Sequence, residues 1–540
     1  MTTKHSPTPS NTPNPFVSQH QADVIGVLSG LDRLRFSGCL PQLYCPRTME
    51  AYLQVKGLLY KDFKAFALDV TQRIKSAALR MAEIAQRPFR YLASCYTRKE
   101  ALARELIQKD RLQDGLIAVF GCVESCRTYF LCGNRQTKKL EFKLQSGKCQ
   151  HFYFYHLHPE FGLMHLRLQS WFPFQVQICI NGREWLSRQM DRYQMNYAQK
   201  ENCFTWISHL KGAQRLMDKQ LEINWPEQLD WILRQNHPLA QEICQPLALR
   251  YYWTTQESEY ATDVMFKNPK PLSRIYPALV RHAITSFSSA DVMRFLGHRV
   301  AAHQKVRANF KGEVVSDLKE RPEGIRIKHR LNANSIKMYD KQGSVLRIET
   351  TINQTRDFRV FRELQIGPHT RAKVDPTKKA WRILRRGVVD LKRRAEVSHA
   401  ANTRYLTALS ATAGKVPLFQ WVDEICKPVK RDERRARALN PWSPQDCALL
   451  QAVNRGEYKI NGFRNRDLRA FLFKGKADPA EQKRRSGAVS RKLALLKAHG
   501  LIKKLQGTHR YVLTQKGSTT ITALLTARQA NITELTRIAA

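Results

Sequence analysis

Residues 324–353, GIRIKHRLNANSIKMYDKQGSVLRIETTIN, carry their charges and apolar side chains with a period of two, a pattern that sits on a pleated strand and not on a helix. Ile325 and Ile327 alternate with Arg326 and Lys328. Ile336, Met338 and Asp340 alternate with Lys337, Tyr339 and Lys341, and Val345, Leu346 and Ile348 carry a third run. Three short strands are expected, the last two joined by a tight turn at Gln342-Gly343. Antiparallel pairing across that turn brings Tyr339, Asp340 and Lys341 near Arg347 and Glu349. A phenol, two carboxylates and several cations are then expected to share one small patch of sheet.

Such a sheet must cover its apolar face, and 540 residues with 43% apolar side chains exceed one ordinary core, so two to four domains are expected. The formal net charge of +44 restricts function further. Self-repulsion on that scale opposes a compact state unless a polyanion offsets it, and nucleic acid is the commonest polyanion. DNA, double-stranded and also single-stranded, is the expected partner, with RNA as the alternative. A membrane is not expected, because no run of 18 or more apolar residues occurs and no basic amphipathic helix sits at a terminus. Residues 1–20 begin MTTKHSPTPSNTPNPF, without an apolar signal core, and read as a disordered tail of a cytoplasmic protein. The 12 cysteines lack small-scaffold spacing and read as reduced thiols, with a structural zinc on Cys122, Cys126 and Cys149 as the alternative.

Residues 47–118 read as a helical domain, with Phe63, Phe66, Ile74, Ala78, Met81 and Ile84 at helical spacing. Residues 119–200 are strand-rich with one helix, residues 201–310 mostly helical, and residues 311–366 the central antiparallel sheet. The acidic segment TQESEYATDVMF (Glu257, Glu259, Asp263) reads as a solvated loop. Residues 368–413 read as one basic helix. Trp381, Leu384, Val388 and Leu391 form its apolar stripe, and Arg382, Arg385, Arg386, Lys392 and Arg393 face phosphates. Residues 427–445 are a basic linker to a last domain, 446–540.

Within 119–200, His156-Leu157-His158 places two imidazoles on one strand face, a pair suited to a divalent cation. Tyr193 and Tyr197 follow at i, i+4 on an expected helix. This order of parts resembles single-strand nicking endonucleases, which implies a metal on the scissile phosphate and an attacking tyrosine. The strand aromatics Phe152, Tyr153, Phe154, Tyr155, Trp171, Phe172 and Phe174 are candidates for stacking unpaired bases.

In the last domain, NGFRNRDLRAFLF gives one helix and RRSGAVSRKLALLKAHGLI a second, with Val489, Leu493, Leu496 and Ile502 inward and Gly500 as its stop. KKLQGTHRYVLTQKG reads as a two-stranded wing around Gln506-Gly507, closed by the helix TTITALLTARQ. The segment resembles the winged helix of bacterial transcription regulators. That resemblance implies that Arg485, Ser486, Ser490, Arg491 and Lys497 face the major groove, while Lys503, Lys504, His509 and Arg510 hold phosphates from the wing.

SIKMYDK followed by LRIE is similar to a motif of rolling-circle replication initiators of plasmids and filamentous phages. The resemblance implies a nicking domain in which Tyr339 attacks DNA and Asp340 and Glu349 hold Mg²⁺ or Mn²⁺. Lys341 and Arg347 would favour the phenolate and clamp phosphate oxygens. The chain is therefore expected to be α+β and multidomain. It should have an N-terminal helical region, a central mixed α/β region with an antiparallel sheet, and a C-terminal winged helix. The expected function is initiation of replication or transfer for a mobile genetic element. The alternative is a non-catalytic DNA- or RNA-binding protein, either a regulator or the partner of a structured or guide RNA.

Overall fold

The computed structural model describes residues 14–298, 310, 312–321, 324–366, 373–410, 418–431, 434–455, 458, 462–473, 475, 477–505 and 508–529. The architecture is mixed α/β with a large sheet, and no helix among the described residues is long and apolar enough to cross a membrane. The chain divides into two compact units. Met1–Val27, Asp263–Thr350 and Ala400–Ala540 form the first, and Leu28–Thr262 and Thr351–His399 form the second. The interleaving is physical: the chain passes between units within strands Val24–Cys39, Tyr252–Phe266 and Val345–Ile352 and within helix Leu391–Leu409.

In the second unit, strands Val24–Cys39, Val176–Asn181, Gly162–Gln169, Lys139–His158, Gly115–Asn134 and Phe89–Tyr91 lie side by side in that order. Gly115–Asn134 and Lys139–His158 form one long antiparallel hairpin, in which Cys122 faces His151 and Glu124 faces Cys149. Helix Lys99–Asp110 packs Ala103 and Leu106 onto Phe120, Tyr153 and Tyr155 of that hairpin. Helix Phe63–Ile84 brings Phe63 within 4.9 Å of Phe142 and 5.6 Å of Phe172. Truncating such a ring to alanine costs about 3–5 kcal/mol. Helix Gly182–Arg192 starts on the Asn181 side chain, which accepts from the N–H groups of Arg183 and Glu184. Gly182 is required there, because a Cβ would lie 2.4 Å from the Leu31 carbonyl oxygen.

In the first unit, Val314–Arg321, Gly324–Leu331, Asn334–Lys341 and Val345–Ile352 lie side by side in chain order. The three-residue turn 342–344 before the last strand has Gln342 and Gly343 at φ 58° and 76°, both in the left-handed region. Alternation divides this sheet cleanly. Ile327, His329, Leu331, Ile336, Met338, Leu346 and Ile348 are buried, and Tyr405 from helix Leu391–Leu409 packs edge-on to Phe287 and Phe295 and tilted to His329. The opposite face carries the cations. C-terminal to it, helices Pro444–Val453, Asn465–Leu472, Pro479–Ala498 and Gln515–Gln529 and the hairpin Ile502–Lys504/Tyr511–Leu513 share a core of Leu450, Phe463, Leu468, Val489, Leu493 and Ile521. Gly500, at φ 70°, ends the helix Pro479–Ala498 as its position demands.

Several expectations from sequence are corrected. Residues 368–413 are not one helix: Lys373–Ile383 is a strand paired with Arg359–Ile366, and the helix begins only at Leu391. The three-to-four spacing of Trp381, Leu384, Val388 and Leu391 came from a strand, a turn and a helix start in succession, with Gly387 bridging to Thr254. The acidic segment is not a loop but strand Tyr252–Phe266, because arginines neutralise its acids: Arg33 lies 3.1 Å from Glu257, and Arg347 2.6 Å from Asp263. Residues 201–310 therefore hold strands as well as helices, and residues 47–118, though largely helical, are part of the second unit. Arg359–Ile366 pairs outside the central sheet, and the expected linker holds the hairpin Val429–Arg431/Arg434–Ala436. Of the expected tail, residues 1–13 lie outside the described residues, whereas Pro15–Gln19 is a short helix with Phe16 fully buried.

Candidate nucleic-acid interface

The hairpin Arg359–Ile366/Lys373–Ile383 builds an open cleft in the second unit. It is lined by Arg356, Arg359, Arg362, Arg382, Arg385 and Arg386, together with Trp381. Register sets Phe361 opposite Trp381 on the hairpin face that also carries Arg359, while Arg362 and Arg382 belong to the other face, so the arginines edge both faces of the hairpin. The Trp381 and Phe361 ring centroids are 5.7 Å apart, and Trp381 is 47% exposed. Among the described residues, Arg356, Arg359, Arg362 and Arg382 form no ion pair with a carboxylate. The Arg362 guanidinium is shifted below its usual range by burial and by Arg385, Arg393 and Arg382 around it. Its Nε is buried without a hydrogen-bond partner. The acids near the cleft are committed elsewhere: Glu363 to Lys379 and Arg393, Asp390 to Arg393 and the Arg385 amide. An anion would relieve this crowding.

Of the residues expected on a phosphate-facing helix, Arg382, Arg385 and Arg386 line this cleft, Lys392 is exposed on helix Leu391–Leu409, and Arg393 is paired. Arg394 is buried and donates to the carbonyl oxygens of Ile352, at 2.6 Å, and Thr255. Arg356, Arg359 and Arg362 were missed. Their signal was present in RDFRVFREL, where arginines recur every third residue beside aromatic and β-branched positions.

The first unit has its own cationic surface. Strand pairing sets Arg326 opposite Tyr339, Lys328 opposite Lys337 and Lys319 opposite Arg326 on one sheet face. Burial and neighbouring Lys337 lower the Lys328 ammonium. On the same face the Tyr339 hydroxyl donates to Glu349 Oε2 at 2.6 Å, and Lys337 Nζ lies 2.5 Å from Glu349 Oε1. Burial would raise the Glu349 carboxyl, but Lys337, the Tyr339 hydroxyl and Arg347 outweigh it and hold it at about 2. Arg347 is fully buried and bidentate to Asp263, at 2.6 and 2.9 Å. Tyr339, Glu349 and Lys337 are thus brought together, with Lys341 on the same face.

The expected metal pair Asp340 and Glu349 is not brought together. Successive residues of a strand point to opposite faces, so Asp340 lies away from Tyr339 and Glu349, and burial raises its carboxyl. The alternative pair does not form a site either. His156 is bonded to Asn236 Oδ1 at 2.5 Å, while His158 Nδ1 accepts from the amides of Glu160 and Phe161. Tyr193 caps the C-terminus of helix Gly182–Arg192 and Tyr197 opens strand Tyr197–Lys200, so they are not helical neighbours. The strand aromatics Phe152, Tyr153, Phe154, Tyr155, Phe172 and Phe174 are buried and cannot stack bases. Cys122 donates to Glu124 at 3.1 Å. Among the described residues, the group of three that could hold a metal is instead Cys126, Cys149 and His151.

In the C-terminal segment, Arg491, Lys497, Lys503, Lys504 and His509 are exposed. Arg485 is tied to Glu481 at 2.8 Å, and Asn465 donates to the Ser486 carbonyl oxygen and the Ser490 hydroxyl, both at 2.9 Å. Arg485 is thus held within its own helix, and Ser486 and Ser490 are joined to helix Asn465–Leu472, Ser490 remaining exposed. Arg510 lies beside the expected wing tip, and Gln506-Gly507 falls outside the described residues. No protein-family model matches the chain, and no curated protein or solved structure is similar to it.

Proposed function

We propose that the protein binds nucleic acid and holds an unpaired segment of it in the cleft around Trp381. One observation carries this reading: six arginines and the half-exposed Trp381 line one cleft, while Glu363 and Asp390 beside it are committed to other partners. Arginine forks match phosphate oxygens, and an exposed indole stacks any base. The C-terminal segment is read as a winged helix that grips duplex DNA through Arg491, Lys497, Lys503, Lys504 and His509, with Arg510 as a further contact. The likeness of SIKMYDK and LRIE to rolling-circle initiators extends the reading to a protein that opens the origin of a plasmid, phage or other mobile element. RNA is the alternative ligand for the same cleft. The test is fluorescence anisotropy with single-stranded DNA, duplex DNA and single-stranded RNA over a salt series. Tight, salt-sensitive binding is expected, and failure to bind any of the three at low salt overturns the reading.

A second reading, nicking through Tyr339, has its own observation in the 2.6 Å contact between the phenol and Glu349. A carboxylate held at about 2 is a weak proton acceptor, and Asp340 points away from it, so binding without cleavage is favoured. Incubation with labelled single-stranded and supercoiled DNA plus Mg²⁺ or Mn²⁺ decides. A protein–DNA adduct lost in Tyr339→Phe establishes nicking, and its absence supports binding alone.

A further inference from the structure

The long hairpin of the second unit sets three soft donors on one face. Glu124 faces Cys149 and Cys122 faces His151, so Cys126 stands diagonal to Cys149, with His151 two residues further along the same strand. The two sulfurs are 3.3 Å apart, and a ligand atom from each of the three residues lies within 4.8 Å of the others. Tetrahedral Zn²⁺, with bonds of about 2.0–2.3 Å, places its ligand atoms about 3.5–3.8 Å apart, so the side chains would rotate to close on an ion.

The imidazole points independently to a cation. His151 is fully buried, and its Nδ1 lies 3.1 Å from the Cys149 carbonyl oxygen, a contact that requires the proton on Nδ1. Nε2 then carries a bare lone pair, and it has no hydrogen-bond partner. A buried lone pair without a donor is costly, whereas an imidazole oriented by a backbone carbonyl through its other nitrogen is the usual arrangement of a metal ligand. Gln169, which faces His151 from the next strand, is also buried, and its Oε1 has no partner. Cys126 is partly exposed and gives solvent a way in.

We propose that Cys126, Cys149 and His151 bind a thiophilic divalent cation of the Zn²⁺ class, with Gln169 Oε1 or water in the fourth position. Binding releases one proton from each thiol to solvent, and two thiolates with a neutral imidazole balance the charge of the ion. The full chain, purified under reductant, is dialysed against Zn²⁺ and its metal content measured, then titrated with Co²⁺. One ion per chain is expected, with cobalt–thiolate charge-transfer bands and tetrahedral ligand-field absorption. Cys126→Ser, at a partly exposed position that folding tolerates, should weaken Zn²⁺ binding by more than about 100-fold, and Cys122→Ser should leave it unchanged. His151→Gln tests the nitrogen ligand where circular dichroism shows a native fold. The proposal fails if reduced protein binds no metal, if binding survives Cys126→Ser, or if Cys122→Ser abolishes it. It also fails if the two cysteines form a disulfide whose reduction admits no ion.

Discussion

Replacing Trp381 with alanine separates stacking from phosphate contact in the proposed cleft. The indole is 47% exposed and touches Phe361 on one side, so its removal opens no sealed cavity and should cost folding little. A base stacked on the indole contributes about 1–3 kcal/mol, so affinity for single-stranded DNA should fall about 5- to 150-fold. The salt dependence should not change, because no phosphate partner is lost. The arginines give the opposite signature. Each unpaired arginine that meets a phosphate contributes about 0.7 to the slope of log K against log salt on a single strand, so the four without ion pairs contribute about 3 together. Arg382→Ala should lower that slope by about 0.7 at nearly constant stability, since this side chain is exposed. The assay is anisotropy of a labelled oligonucleotide at several salt concentrations, with the folded state of each variant checked by thermal melting. If Trp381→Ala binds as wild type, or changes the slope while Arg382→Ala does not, the cleft does not hold nucleic acid as argued.

Three further outcomes follow from the buried charges and the sheet face. Asp263→Ala leaves Arg347 buried without its carboxylate and should cost about 3–5 kcal/mol, seen as a lower denaturation midpoint; adding Arg347→Met should recover most of the loss. Burial would raise the Glu124 carboxyl, but hydrogen bonds from Cys122 and Tyr153 and the charge of Arg167 hold it at about 2. A carboxylate depressed in the folded state adds stability that is complete above its unfolded value of about 4.3 and fades as pH falls toward 2, so Glu124→Gln should show a flatter melting profile over that window than wild type. Tyr339→Phe should bind DNA within about fivefold of wild type, because the phenol faces Glu349 and one hydroxyl contributes about 1 kcal/mol or less; a larger loss would place the strand against this tyrosine.

The local structure that could be read in advance was that governed by neighbours in sequence. The alternation over 324–353 and Gln342-Gly343 specify strands and a turn, because a period of two and a left-handed dipeptide act within a few residues. The C-terminal helices were equally plain, with Val489, Leu493 and Leu496 inward and Gly500 at the stop. Residues 368–413 were misread for the same reason: apolar spacing is local information, and the pairing of Lys373–Ile383 with Arg359–Ile366 is not. The candidate sites divide in the same way. Arg382, Arg385 and Arg386 were visible as a basic run, but their convergence with Arg356, Arg359 and Arg362 depends on hairpin register.

The sequence by itself determined the cationic character of the chain, its central strands and its C-terminal helices, since charge and periodicity are properties of the residues present. Tertiary structure alone decided which charges remain free. It buried Arg347 against Asp263, closed Glu349 between Tyr339 and Lys337, turned Asp340 to the other face, and replaced Cys122 by His151 beside Cys126 and Cys149. Each of those outcomes is a partnership between side chains set by strand pairing and packing, and no single segment encodes the distance to its partner.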